Sequence, residues 1–165
     1  MHIISATFED IDEIAVSALF GALGVYVLWS PKAEKRPSYI GEGKVLSRFA
    51  SEHIERFGVS AAGVVGVMQD GTASQRKQDA EIVESALFAV GADLGLSPTH
   101  NRAPGKWKGL EKLWDARHSV VRIRCSGCHP LRLGKRISGT DIIELRLEAD
   151  EETFAVAAFH PWRRS

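Results

Sequence analysis

The chain has 165 residues and a mass of 18.1 kDa, with 21 Lys and Arg against 21 Asp and Glu, a formal net charge of zero and 44% hydrophobic residues. That size fits one compact unit, and the composition excludes a disordered chain or a uniformly basic tail protein. Neutrality also counts, at first, against a nucleic-acid binder, because phosphate neutralisation needs a local excess of bases. The only two cysteines, Cys125 and Cys128, are too few for a disulfide scaffold and suit a reducing, cytoplasmic setting.

Taken in chain order, Glu9 to Phe20 predicts a short helix with acids in its first turn and Ile11, Ile14, Ala15 and Leu19 on one side. The uncharged run Ile14 to Pro31 is almost long enough for a membrane check. It fails, because Glu9, Asp10, Asp12 and Glu13 precede it where a signal peptide carries positive charge, and Ser17, Gly21, Gly24 and Tyr26 interrupt it. Gly24 to Trp29 predicts a strand, Ser38 to Gly41 a second, and Gly43 or Lys44 to Phe57 a helix with the stripe Leu46, Phe49, Ala50, His53 and Phe57. Val59 to Met68 reads as a third strand, and Ser74 to about Leu94 as an amphipathic helix with Val83, Ala86, Leu87, Val90 and Leu94 on one face.

Residues 102 to 136 hold ten bases against two acids, so the neutral total conceals a strongly basic stretch. Within it, Val120 to Arg124 alternates, with Arg122 and Arg124 on one face of a strand; an acidic strand beginning at Asp141 and a last strand, Phe154 to Phe159, follow. The chain shows no internal repeat. These features predict an α+β fold (an α/β sandwich): a small central three-stranded antiparallel sheet flanked by helices, over residues 1–101 with the N-terminal helix. A basic C-terminal β extension, 102–165, packs on the same domain.

Two tyrosine triplets stand out, Gly24-Val25-Tyr26 and Tyr39-Ile40-Gly41, followed by Arg48 on the first long helix, Glu84 on the second, and Asn101. This ordered set resembles the GIY-YIG endonuclease family over roughly residues 22 to 101. The resemblance implies DNA as partner, no membrane, and phosphodiester hydrolysis with Mg²⁺ or another divalent cation such as Mn²⁺. It also implies roles: Tyr26 helps activate water, Tyr39 orients water or phosphate, Arg48 contacts the scissile phosphate with its planar fork, and Glu84 is the metal ligand. A phenol with a reference pKa of about 10 needs a nearby cation to act as a base, and otherwise serves as a hydrogen-bonding relay.

Helical geometry separately favours Glu84 over Glu81: Glu84 falls about 100° from the centre of the apolar stripe and Glu81 about 160°, toward solvent. The sequence departs from the family pattern in Val25, in the nine-residue interval from Tyr39 to Arg48, and in Glu52 where a histidine is common, with His53 next to it. Asn101 either braces the site or contacts phosphate, and Lys44 is either a phosphate contact or a solvated residue. Arg122 and Arg124, with Trp107 and Trp114 upstream, suit a groove that tracks a phosphate backbone; the alternative is a surface neutralised by the acidic strand. Cys125-Ser126-Gly127-Cys128-His129 has half of a zinc-site spacing, which His118 or His160 could complete, and is otherwise a tight loop between strands. Beside the nuclease reading stand a catalytically inactive nucleic-acid-binding module on the same fold, and an unrelated α+β protein with coincidental triplets.

Overall fold

The structure, a computed structural model, describes residues 1–32, 35–48, 62–101, 120–150 and 153–159. The first element is a strand, not a helix: β1, His2–Asp10, buries Ile4, Ala6 and Phe8 and leaves the residues between them more open. The acids that read as a helical first turn serve only a single 3-10 turn, Ile11–Glu13, where the Asp10 carboxylate accepts the Asp12 N–H. A second such turn spans Val16–Leu19.

Next come β2 (Leu23–Trp29), β3 (Tyr39–Lys44) and β4 (Ala62–Val67), with β2 paired antiparallel to both neighbours. The predicted three-stranded sheet therefore exists only as part of a larger one. With β5 (Val120–Cys128), β6 (Arg136–Asp150) and β7 (Thr153–Phe159), the described strands form one seven-stranded sheet in the order β3-β2-β4-β1-β5-β6-β7. β1 is the bridge. It pairs antiparallel with β4 and parallel with β5, so the C-terminal strands continue the N-terminal sheet.

β3 runs directly into α1, Val45–Arg48, and the remainder of the helix predicted to reach Phe57, including His53, lies outside the described residues. α2, Ala73–Leu94, starts at a capping box in which the Thr72 hydroxyl accepts the Gln75 N–H and the Gln75 side chain accepts the Thr72 N–H. Its Ile82, Val83, Ala86, Leu87 and Val90 are fully buried in one core with Val25, Val27, Ile40, Val64, Phe8, Ile123 and Leu145. Glu81, expected to face solvent, is only 8% exposed, and Ser85 beside it 1%, because α2 is buried on more than the one stripe that periodicity picks out. The Ser85 hydroxyl donates to the Glu81 carbonyl one turn back. Since strand side chains alternate, the remaining residues of the sheet face the other way, where Leu19, Tyr26, Leu28, Val45 and Val65 form a second, smaller cluster. Among the described residues no helix is long and apolar enough to cross a membrane.

The Cys-Ser-Gly-Cys segment is not a loop between strands. β5 runs through it, with the register shifting at a bulge between Cys125 and Gly127. Gly127 has φ +85° there, and a Cβ would collide with the Phe8 carbonyl of the parallel neighbour. Cys125 points into the core, and burial, with the charge of Asp141 second, pushes its thiol up to about 12. Cys128 Sγ accepts from Arg136 Nη1 at 3.3 Å, and the buried His129 accepts the Leu131 N–H at Nδ1. The candidate partners His118 and His160 lie outside the described residues.

Candidate functional site

Register builds the tyrosine pair. Tyr26 stands opposite Gly41 and Leu28 opposite Tyr39, and directly paired residues share a face, so both phenol rings lie on the side of the sheet away from α2. Their centroids are 6.1 Å apart with 17° between the planes, a stacked arrangement. Gly41 makes this possible: a Cβ there would sit 2.5 Å from Tyr26 Cζ and 2.7 Å from Tyr39 Cε1, and would meet the Tyr26 hydroxyl as well. Tyr26 is 2% exposed, wedged among Leu28, Val45 and Val65, whereas Tyr39 is half-buried. The ring that reaches solvent is therefore that of Tyr39.

Arg48 joins this side of the sheet. The short interval from Tyr39 arises because β3 extends through Glu42, Gly43 and Lys44 and passes into α1 with no intervening loop, the Val45 N–H donating to the Ala22 carbonyl. Val45 packs beneath Tyr26, and Arg48 follows it by three residues on the same helical face. Arg48 Nε is 3.7 Å from where a Cβ of Gly43 would be, so the exposed guanidinium lies over the end of β3. Lys44 is exposed at that end, its carbonyl accepting the Ser47 hydroxyl.

Asn101 acts on β3 from outside. Its Oδ1 accepts the Ile40 N–H at 3.0 Å and its Nδ2 donates to the Ile40 carbonyl at 2.8 Å. Thr99 and His100 extend the cover, donating N–H to the carbonyls of Pro37 and Ser38. With both ends of its amide spent on Ile40, Asn101 braces the strand between Tyr39 and Gly41. Asn101→Ala is expected to cost about 1–3 kcal/mol by stranding two partly buried backbone groups. Urea unfolding of the variant measures this, and an unchanged midpoint contradicts the bracing role.

Glu84, half-buried, belongs to α2, which covers the opposite face from the tyrosines. Among the described residues no three His, Cys, Asp or Glu side chains cluster as a metal site. Mg²⁺ needs only one or two carboxylates and otherwise keeps water, so the Glu84 donor is of the right kind. α2 itself packs on the face of the sheet opposite the tyrosine rings.

Arg122 and Arg124 do share the tyrosines' face. They alternate with the buried Val121, Ile123 and Cys125 and lie beside Ile3 and Ser5 of β1. β5 stands four strand spacings from β3, about 19 Å. Arg122 Nε donates to Glu144 Oε2 at 2.7 Å, and Arg146 Nη2 lies 2.8 Å from Glu144 Oε1. The Arg122 hydrogen bond, followed by the charges of both arginines, holds the Glu144 carboxyl below its ordinary range. Half of the expected Arg122–Arg124 pair is thus neutralised by the acidic strand, while Arg124 is exposed. Trp107, Trp114 and the bases from Arg102 to Arg117 lie outside the described residues.

Sequence reasoning passed over a second basic group. Lys32, Lys35 and Arg36, in the connection between β2 and β3, line a cleft with Arg132 from the turn between β5 and β6. The charges were legible, but 96 positions separate Arg36 from Arg132, and no local pattern joins them. Comparison with protein-family models, curated proteins and solved structures finds no match for this chain.

Proposed function

We propose that the protein is an endonuclease that hydrolyses DNA phosphodiester bonds on the Tyr26–Tyr39–Arg48 face of its sheet. The observation that carries this reading is the stacked tyrosine pair across Gly41, with an arginine beside it. Hydrolysis adds water across one P–O ester bond and yields a phosphate monoester and a hydroxyl. Arg48 binds the non-bridging oxygens and neutralises the charge that develops on them. Tyr39, the accessible phenol, hydrogen-bonds water or phosphate, and the buried Tyr26 holds it in place. This reverses the emphasis of the family resemblance, which gives water activation to Tyr26. Both phenols work as hydrogen-bonding relays.

A divalent cation such as Mg²⁺ or Mn²⁺, when bound, supplies Lewis-acid stabilisation of the phosphate. Glu84 is the carboxylate that the resemblance assigns to it, but its position on the helix of the opposite face leaves no step to derive through the metal. That same position favours a second reading, a nucleic-acid-binding module on this fold without cleavage. The free Cys125 and Cys128 support a cytoplasmic setting.

Supercoiled plasmid incubated with the protein, with and without Mg²⁺, separates the two. The nuclease converts it to open circles only with metal, and Arg48→Ala loses most of the conversion. Retarded plasmid mobility with no nicking selects the binding module, and neither effect at low salt removes both readings.

A further inference from the structure

At the end of the sheet where β2 finishes and β3 begins lies a cleft of about 740 Å³. Its rim carries Lys32, Lys35, Arg36 and Arg132, all exposed, and among the described residues that line it there is no carboxylate. None of these four bases has a described ion-pair partner, in contrast to Arg122 and Arg146 on the sheet face. Four like charges around one concavity repel each other and focus a positive potential into it, which an entering anion relieves. The rest of the lining is mixed: Ser30, Ser38 and Thr99 are polar, while Leu94, the last residue of α2, and Leu96, two residues beyond it, add an apolar patch to the wall. His100 adds an imidazole, its Nδ1 2.7 Å from Thr99 Oγ1.

Cations at the rim with an apolar patch on the wall suit a nucleotide unit, whose base takes the patch and whose phosphates take the cations. A duplex offers its bases only edge-on within the grooves, whereas a single strand can turn one into a cleft. The cleft borders the start of β3. Ser38, which lines it, immediately precedes Tyr39, and its hydroxyl accepts the Ser30 N–H, tying the two strand ends together.

We propose that this cleft binds a single nucleic-acid strand, with Lys32, Arg36 and Arg132 on consecutive phosphates and a base against Leu94 and Leu96. The strand identity rests on the nuclease or binding-module reading above; the anion-binding character rests on the cleft itself. It assigns a strand-holding role to residues outside the tyrosine site, one of them from the turn between β5 and β6.

The test uses the full chain in EDTA, so that nothing is cut, with a fluorescein-labelled single-stranded 12-mer followed by anisotropy across a salt series. The triple variant Lys32→Gln/Arg36→Gln/Arg132→Gln is expected to bind at least about tenfold more weakly at 0.1 M salt. The slope of log K against log salt should flatten by about 2, given about 0.7 per phosphate contact on a single strand. Lys135→Gln, an exposed base outside the cleft, serves as the comparison and should flatten the slope by no more than about 0.7.

Equal affinity and slope in the triple variant and the wild type, with matching circular dichroism and melting, overturn the proposal. Displacement of the 12-mer by inorganic pyrophosphate as effectively as by unlabelled 12-mer also overturns it, by assigning a small free anion. No binding of the 12-mer at low salt overturns it as well. Nicking is read separately with Mg²⁺: loss of nicking with intact cleft binding removes only the nuclease reading, and nicking with an insensitive triple variant removes only the cleft.

Discussion

Gly41→Ala is expected to destabilise the protein by about 1–3 kcal/mol, the usual cost of forcing an extra carbon into a packed site. A Cβ at this position would sit 2.5 Å from Tyr26 Cζ and 2.7 Å from Tyr39 Cε1. Neither ring can yield easily. Tyr26 is enclosed by Leu28, Val45 and Val65, and Tyr39 is held on a strand that Asn101 pins at Ile40. For a domain of this size the loss corresponds to about 2–4 °C in Tm per kcal/mol. Tyr26→Leu shortens the side chain that crosses Gly41, so Gly41→Ala should cost markedly less in that background, a coupling a double-mutant cycle measures directly. Full additivity would mean that the alanine methyl finds room without moving the tyrosine ring, and the close-approach account of Gly41 would fail. If the stacked pair is the reaction site, the single variant also loses nicking, because the phenols cannot keep their positions.

Arg48→Ala should do the opposite, leaving stability within about 0.5 kcal/mol while lowering plasmid nicking by about 10²–10³-fold. Arg48 is exposed at the end of α1, so truncation opens no cavity. Its Nε lies 3.7 Å from the Gly43 Cβ position near the end of β3. Arg48→Lys restores the charge but not the two-pronged donor set, and should recover only part of the rate. Wild-type nicking in Arg48→Ala would remove the arginine from the reaction and with it the proposed site. The two variants together distinguish a site built by packing from one built by charge.

Much of the fold was legible because its signals are local. The run from Leu23 to Trp29 is strand-forming throughout, and the apolar stripe of α2 is buried as its spacing implies. The tyrosine triplets were also legible as a pair, and register places both rings on one face. β1 was misread because four acids in five residues imitate a helical first turn more loudly than Ile4, Ala6 and Phe8 announce a strand. The orientation of α2 was half right: one stripe locates one buried side, but a helix covered on several sides buries Glu81 too.

By itself the sequence determined which residues alternate, where α2 begins, and in what order its tyrosines, glycines and Arg48 follow one another. Only the tertiary structure decided what those residues meet. A two-residue period separates the faces of a strand without saying which face a helix will cover, so the separation of Glu84 from Tyr26 and Tyr39 could not be read from spacing. Nor could the capture of Arg122 by Glu144, the contribution of Arg132 to the Lys32–Arg36 cleft, or the parallel pairing of β1 with β5, which brings together Thr7 and Ser126, 119 positions apart. The net charge of zero is settled in the same way. Opposite charges cancel where strands pair, as at Glu144, and accumulate where connections converge, as at the cleft, and the chain's total records neither.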